Sequence, residues 1–370
     1  MGQVADVLVI GGGPAGLATA LAARKRGLSV IVADGAAPPI DKTCGEGLMP
    51  HTLDALRELG VVIQPEDGRR FRGVRFLDRT SIAEANFTGV RGIGLRRTIL
   101  HQKMSEQATA RGITFLWNSP VTGVSPEGAM VGGNLISARW IVGADGARSR
   151  VRRWSGLESA SQLAHRFAFR RHYRVDPWTD CVEIYWGRAM QAYVTPLGDG
   201  ETCVAVISLD PRVRLDAVWL EFPGLAAHLQ NAAPASSERG AVTSMHRVKK
   251  IYRGNIALIG DASGSVDAIT GEGLCLSFRQ AAALADALAA GNLAKYQVAH
   301  SRLARRPTLV ARLMLLLDRH PRLRHRVQRA LVADPEIFAR LISAHAGKTS
   351  PAQLATTGAL FGLRLLGANF

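Results

Sequence analysis

The chain has 370 residues, of which 46 are basic and 30 acidic, so its net charge is +16 at pH 7. With 47% apolar residues and 38 glycines it has the composition of a globular protein, which excludes a disordered tail protein, a collagen and a small disulfide scaffold. Its four cysteines are widely spaced and form no C-x-x-C pair, so neither a zinc site nor a disulfide framework is indicated.

The distribution of charged and apolar residues bears on location and partners. No uninterrupted apolar stretch reaches the roughly 18 residues of a membrane-spanning helix, and the first apolar run contains Asp6, unlike a signal peptide. Because the cysteines indicate no disulfide framework, we expect a cytoplasmic protein. Residues 301–370 carry twelve basic and three acidic side chains. This tail has no signature of a nucleic-acid-binding module, so we predict no nucleic-acid partner.

The first 34 residues predict one complete βαβ unit. An apolar run at residues 6–10 ends in a glycine-rich turn, and residues 17–25 have the Ala-rich composition of a helix. A second apolar run at residues 28–33 ends at Asp34. This alternation is typical of a parallel sheet.

The glycine-rich turn has the spacing G-x-G-x-x-G, formed by Gly11, Gly13 and Gly16. In this motif the first glycine permits a tight turn, the second lets a pyrophosphate approach the backbone, and the third allows close packing of helix on strand. The helix N-terminus then faces the phosphates, and Asp34 can accept hydrogen bonds from an adenosine ribose. The turn therefore predicts a dinucleotide site, which also includes Pro14 and Ala15.

The rest of the chain predicts an insertion and a helical end. Residues 160–245 contain runs of alternating apolar and polar residues, which indicate an antiparallel sheet. A buried strand at 256–261 and an apolar helix at 273–290 return to the first pattern. The predicted domains are a discontinuous dinucleotide-binding domain (1–75, 95–160 and 245–295), a substrate-binding sheet (76–94 and 161–244) and a basic helical region (296–370).

Three further segments resemble the flavoprotein superfamily that includes p-hydroxybenzoate hydroxylase and the geranylgeranyl reductases. They are Gly-Ala-Asp-Gly-Ala-Arg-Ser at 143–149, Arg-x-x-Leu at 97–100, and Gly-Asp-Ala at 260–262 followed by Thr-Gly-Glu-Gly-Leu at 270–274. The resemblance implies FAD as the cofactor. It also implies an α/β fold in which a Rossmann-like FAD-binding domain carries an inserted antiparallel-sheet substrate domain.

The resemblance also implies roles for individual residues. Asp145 and Gly146 would lie near the pyrophosphate, although a plain surface turn is an alternative for them. Asp261 stands at the end of a predicted parallel strand, where it can accept a hydrogen bond from a ribityl hydroxyl or simply cap the next turn. Glu272 is expected to point elsewhere. The further cofactor contacts assigned are Arg97, Val121, Gly260, Gly271, Gly273 and Leu274, of which the last three begin a helix whose N–H groups can stabilise reduced flavin.

Residues 42–50 are similar to the Cys-Gly loop of geranylgeranyl reductases. In this resemblance Gly45 and Gly47 let the backbone approach the isoalloxazine, and Cys44 faces the substrate. Cys44 is thus a candidate catalytic residue, with a buried apolar side chain as the alternative. Ala268 replaces the usual proline before the flavin helix, and the family's aromatic strand motif is reduced to Tyr-Val-Thr-Pro at 193–196. The residues assigned to the substrate are Tyr185, Tyr193 and Pro196.

These features predict an FAD-dependent oxidoreductase. We expect it to reduce double bonds of a hydrophobic, prenyl-bearing small molecule with the hydride of flavin N5. The alternatives are a monooxygenase that hydroxylates an aromatic or polyketide-type substrate through a C4a-hydroperoxide, and a dinucleotide-binding protein without catalysis. No second G-x-G-x-x-G is present, so NAD(P)H or another reductant would bind transiently.

The basic tail predicts an amphipathic helix at residues 302–329, with leucines on one face and arginines on another. Two interpretations remain open. Such a helix can lie on an anionic lipid surface and give peripheral membrane contact, or it can pack on the core with a solvated basic face.

Overall fold

The computed structural model describes residues 4–157, 162–345 and 351–367. Its strands, in chain order, are β1 (Val4–Ile10), β2 (Val30–Ala33), β3 (Gly47–Leu48), β4 (Arg69–Phe71), β5 (Gly73–Leu77), β6 (Ile82–Asn86), β7 (Gly92–Gly94), β8 (Thr114–Leu116), β9 (Val121–Ser125), β10 (Gly128–Val131), β11 (Asn134–Gly143), β12 (Gln162–Arg174), β13 (Cys181–Trp186), β14 (Met190–Pro196), β15 (Glu201–Ser208), β16 (Ala233–Pro234), β17 (Arg239–Arg247), β18 (Tyr252–Arg253), β19 (Ile256–Leu258) and β20 (Gly264–Ser265). The helices are α1 (Pro14–Lys25), α2 (Pro50–Glu58), α3 (Arg97–Ala110), α4 (Arg150–Trp154), α5 (Leu215–Val218), α6 (Pro223–Leu229), α7 (Gly273–Ala289), α8 (Leu293–Arg319), α9 (Pro321–Ala333), α10 (Pro335–His345) and α11 (Pro351–Gly367). Short 3₁₀ turns lie at Pro65–Asp67, Gly260–Ser263 and Ala268–Thr270.

The first sheet is mainly parallel and is centred on β1. Its strand order is β18-β19-β11-β1-β2-β8, and β9 and β10 extend it as antiparallel strands beside β11. Val7, Leu8 and Val9 are fully buried in one core with residues of α1, α3 and α7, which is why β1 is apolar on both faces. Because β2, β1, β11 and β19 are parallel, the turns that follow them lie at the same edge of the sheet.

The second sheet is mainly antiparallel and has the order β20-β17-β12-β15-β14-β13-β5-β6, with β16 beside β12. Only β13 and β5 pair in parallel along this order. The sequence-based boundaries for this sheet were 76–94 and 161–244. Its strands lie within 73–86 and 162–265, whereas β7 pairs with β3 and β4 in a small third sheet. Residue 161 lies outside the described residues.

The C-terminal helices cover one end of the second sheet. Ala83 of β6 packs with Leu331 of α9 and Phe338 of α10, while Met314 of α8 packs beside Ile184 of β13. The predicted fold class, a Rossmann-like α/β domain with an inserted antiparallel sheet and a helical C-terminus, is confirmed.

The turn after β1 generates a prediction about stability. A Cβ atom at Gly16 would lie 1.8 Å from the carbonyl oxygen of Gly11, so Gly16→Ala must displace backbone. We expect its free energy of unfolding in urea to fall by about 1–3 kcal/mol. Gly224→Ala is the control, because Gly224 lies in the first turn of α6 with no heavy atom near its Cβ position. Equal stability of Gly16→Ala and wild type would contradict the close approach.

Candidate active site

The turn between β1 and α1 forms one wall of a cavity at the carboxyl edge of the first sheet. Gly11 adopts a φ of +113°, and the acid that follows β2 lies against the same turn. The N–H of Gly12 donates a hydrogen bond to the Asp34 carboxylate at 2.7 Å. The turn is therefore shaped by three residues that do not line the cavity, namely Gly11, Gly16 and Asp34. The residues of the turn that do line it are Gly13, Pro14 and Ala15.

The cavity has a volume of about 1300 Å³ and extends from this turn to the second sheet and the C-terminal helices. The structure brings together around it most of the site residues assigned from the sequence. Besides the three residues of the turn, these are Cys44, Gly45, Gly47, Arg97, Gly146, Tyr193, Gly260, Asp261, Gly271, Gly273 and Leu274. Segments more than 200 residues apart in the chain thus meet at one site.

Besides Gly11, Gly16 and Asp34, two further residues assigned to the cofactor, Val121 and Asp145, lie outside the cavity lining. Val121 begins β9 and packs against the core of the first sheet. Asp145 accepts hydrogen bonds from the backbone N–H groups of Arg150 at 2.7 Å and Val151 at 3.1 Å. Its carboxylate thus lies at the start of α4, which is the role expected of a turn residue.

Two residues assigned to the substrate lie on the other face of the second sheet. Side chains alternate between the faces of a strand. In β13 Ile184 lines the cavity, so Tyr185 points away, and its hydroxyl donates to Glu183 at 2.8 Å. In β14 the same alternation leaves Tyr193 in the cavity and Pro196 outside it. The assignment of Tyr185 and Pro196 as substrate contacts is therefore corrected.

Arg97, Lys42 and Asp261 make one end of the cavity polar. Desolvation raises the pKa of the Asp261 carboxyl, and the positive charges of Arg97 and Lys42 oppose that shift. Within the described part of the chain, Nε of Arg97 is buried and has no hydrogen-bond partner. This end can therefore accommodate further polar groups.

The Cys44 loop is tied to the second sheet by polar contacts that the sequence did not reveal. Thr195 Oγ1 of β14 donates to the Gly45 carbonyl oxygen at 2.7 Å. The Glu46 carboxylate contacts His172 Nε2 of β12 at 2.6 Å and accepts the backbone N–H of Arg97 at 2.9 Å. Cys44 itself is partly exposed to the cavity.

Glu272, at the start of α7, points away from the cavity, as expected from the sequence. Its carboxylate lies 2.7 Å from Nε2 of His51, and both side chains are buried. His51 belongs to α2 and is another residue that the sequence did not single out. The pair joins α2 to the N-terminus of α7, and so supports the loop that carries Gly271 and Gly273.

The other end of the cavity is an apolar chamber between the second sheet and the C-terminal helices. Val74 and Phe76 of β5 form one side. The opposite side is formed by residues of α8 to α11, namely Val310, Leu313, Met314, Leu316, Leu317, Leu323, Val327, Leu331, Phe338, Leu341, Ile342, Phe361 and Leu365. The amphipathic tail thus contributes its apolar face to the same cavity as the glycine-rich turn.

The sequence matches a family model described as "FAD binding domain" over residues 4–295. The chain belongs to this FAD-binding family. It is 28% identical over 343 residues to a menaquinone reductase of Mycobacterium tuberculosis, covering 85% of this chain and 84% of that protein. It is 27% identical over 329 residues to digeranylgeranylglycerophospholipid reductase 1 of Methanothermobacter thermautotrophicus, covering 80% of each.

A solved structure shows the same fold. A geranylgeranyl bacteriochlorophyll reductase-like protein from Thermoplasma acidophilum superposes with a TM-score of 0.76 at 21% identity, covering 92% of both chains. The resemblance noted from the sequence motifs is confirmed, and the protein is an FAD-dependent oxidoreductase.

The polar end of the cavity fits FAD. At Gly13, Gly45, Gly271 and Gly273 no heavy atom lies within 4 Å of a would-be Cβ, so their backbone borders open space that side chains would fill. The unpartnered Nε of Arg97 adds a donor there. The N-termini of α1 and α7 also lie at this end, where their N–H groups favour anionic ligands.

A buried histidine beside this site generates a pH prediction. His300 of α8 lies 2.9 Å from the Ser263 hydroxyl, and burial lowers its pKa to about 4. Below pH 6.5 the unfolded chain takes up a proton at His300 that the folded protein does not, so stability present above pH 6.5 is lost as the pH falls towards 4. Between pH 7 and 4.5, urea unfolding of wild type should lose roughly 2–3 kcal/mol more than that of His300→Gln. If wild type and His300→Gln lose the same free energy of unfolding over this pH range, the lowered pKa of His300 is contradicted.

Proposed function

We propose that this flavoprotein reduces carbon–carbon double bonds in a hydrophobic, prenyl-bearing substrate. The observation that carries the proposal is the continuity of one cavity from the glycine-lined end to the apolar chamber. The names of the reductases to which the chain is similar support the same chemistry.

The size and lining of the cavity favour a long apolar substrate. Its volume of about 1300 Å³ exceeds the roughly 300–1,000 Å³ of ordinary ligand pockets, so a chain molecule can lie in it beside the flavin ring. Each buried CH₂ group contributes about 0.8 kcal/mol to binding. Burial of the prenyl chain can thus hold a double bond beside the flavin ring even though that bond carries no polar group of its own.

The residues at the polar end would hold and orient the cofactor. When bound, FAD supplies a hydride to the substrate. Gly13 and the α1 N-terminus would receive the pyrophosphate, Asp261 a ribityl hydroxyl, and Arg97 with the N–H groups at the start of α7 would stabilise negative charge on the reduced ring. Cys44 would line the substrate side. The electron donor would be NAD(P)H or another reductant that binds transiently.

The competing function is hydroxylation by the same cofactor, and product mass separates the two. Anaerobic incubation with NADPH and digeranylgeranylglycerophospholipid should add two hydrogens per reduced double bond. A gain of one oxygen in air, with no reduced product without oxygen, would reject the proposal in favour of a monooxygenase.

Cys44→Ala tests the thiol in the same assay. We expect the turnover rate to fall about tenfold or more, because Cys44 would line the substrate side of the site. Full turnover would exclude a chemical role for the thiol.

We also propose that the mouth of the cavity rests on an anionic lipid surface. Leu309, Leu313 and Leu316 of α8 are 57%, 52% and 42% exposed, and the last two also line the cavity. Exposed arginines flank them on the same helix, at positions 305, 312 and 319, seven residues apart. None of the helices in the described ranges is long and apolar enough to cross a membrane. Surface contact through this patch would let a lipid substrate enter directly.

Vesicle binding tests the patch. The double variant Arg305→Glu and Arg312→Glu should sediment with vesicles of 30% phosphatidylglycerol at least about tenfold less well than wild type, because each basic residue contributes roughly 1 kcal/mol near such a surface. Arg153→Glu, an exposed charge on α4, is the control and should bind within about threefold of wild type. Equal losses in both proteins would show that binding follows net charge rather than this patch.

A further inference from the structure

Three polar side chains form a hydrogen-bonded chain from the partly exposed side of the second sheet to the cavity. The Ser236 hydroxyl lies 2.8 Å from Nδ1 of His172, and Nε2 of His172 lies 2.6 Å from the Glu46 carboxylate. Ser236 is partly exposed, whereas His172 and Glu46 are only 2% and 3% exposed. Glu46 lines the cavity. These three hydrogen-bonded side chains therefore connect solvent with an otherwise largely apolar site.

Glu46 occupies this position at a conformational cost. Its φ is +61°, in the left-handed region that costs a side-chain-bearing residue roughly 1–2 kcal/mol. A glycine would avoid this cost, and glycines stand on both sides of it. What a glycine would lack is the carboxylate. Strain of this kind at a site is evidence that the side chain has a function there.

The neighbouring charges define where the protons lie. Arg170 Nη1 lies 3.1 Å from Nδ1 and 3.4 Å from Nε2 of His172, so it does not distinguish the two ring nitrogens. An ionised carboxylate can only accept, so Nε2–H donates to Glu46, and Nδ1 of the neutral ring accepts from the Ser236 hydroxyl. The other charges that face the pair are Asp41, which binds Arg170, Arg239, which binds Asp41, and Arg97 at the start of α3. The nearby Cys203 thiol does not compete as an acid, because burial raises its pKa well above the ordinary value.

We propose that Ser236, His172 and Glu46 are the proton path of the reduction. This rests on the proposed function: saturating a double bond requires a hydride, which comes from reduced FAD, and a proton at the adjacent carbon. The resting Glu46 carboxylate takes the proton of Nε2 of His172 and passes it to the substrate carbon, which regenerates the carboxylate. His172 takes up a replacement proton at Nδ1 from the Ser236 side, and a flip of the imidazole ring brings that proton back to the Glu46 side for the next turnover. Each double bond thus receives one hydride and one proton, and the two electrons of the hydride come from the external two-electron reductant.

The two half-reactions of FAD-loaded protein separate proton delivery from the other steps. In His172→Gln the amide can still donate to Glu46 but cannot relay a proton; in Glu46→Gln the acceptor for the Arg97 N–H is kept but the acid is lost. Both variants should retain the flavin spectrum and reduction by dithionite. Anaerobic reoxidation by digeranylgeranylglycerophospholipid should slow by at least about 100-fold, and the solvent deuterium isotope effect on that step should change.

Glu201→Gln is the control variant. Glu201 is a partly buried carboxylate that binds Arg96 beside the same loop and does not contact His172. Its reoxidation rate should stay within about twofold of wild type. If His172→Gln reoxidises as fast as Glu201→Gln, the path is refuted while the reductase function stands. If reduced wild type is not reoxidised by the lipid, the proposed function itself fails and the path with it.

A measurement without turnover tests the same geometry. Nitrogen-15 spectra of the imidazoles in wild type should show His172, assigned by its absence in His172→Gln, protonated on Nε2 and unprotonated on Nδ1. A neutral ring with its proton on Nδ1 would contradict the hydrogen bond from Nε2–H to the Glu46 carboxylate.

Discussion

The close approach of backbone atoms where β1 passes into α1 determines where the rest of the site can lie. Because Gly16 has no side chain, the first turn of α1 packs onto the Gly11 carbonyl, and the helix N-terminus stays at the carboxyl edge of the sheet. The parallel partners β11 and β19 end at the same edge. The polar end of the cavity consequently combines the backbone of Gly13, Gly271 and Gly273 with charged side chains, which suits a large cofactor with many hydrogen-bonding groups.

The two ends of the cavity have opposite chemistry, and their juxtaposition shapes the proposed function. Cations, an acid and helix N-termini surround the FAD end, whereas aliphatic and aromatic side chains of the second sheet and the C-terminal helices surround the other end. The aliphatic and aromatic side chains of the chamber include no group that can donate a proton. The buried chain from Ser236 to Glu46 offers a route for protons through the sheet without opening the chamber.

Local sequence patterns predicted the elements whose chemistry depends on neighbouring residues. The β1 turn, the position of Asp34 and the loop at 270–274 could be read in this way, because strand, turn and helix follow each other within a short stretch. Local patterns could not predict which face of a strand meets the cavity. The alternation in β13 is clear, but the side that faces the cavity depends on the packing of the whole sheet, so Tyr185 was misassigned.

Contacts between distant segments also could not be predicted from the sequence. Glu46 and His172 are 126 residues apart, and neither carries a motif that links them. The position of Glu46 between two glycines indicated an unusual backbone conformation there. It did not indicate that His172 would be the partner of the carboxylate. For the tail, the amphipathic period was evident, whereas its role as a wall of the cavity required the position of α8 beside β5 and β13.

If one cavity holds the flavin ring and a prenyl chain end to end, binding must depend on the length of the prenyl chain. FAD-loaded protein would be titrated with prenyl alcohols of one to four isoprene units while the flavin absorbance is followed. We expect a perturbed flavin spectrum and an affinity that rises at least about tenfold per isoprene unit until the chamber is filled. Affinity independent of chain length, or binding that leaves the flavin spectrum unchanged, would contradict it.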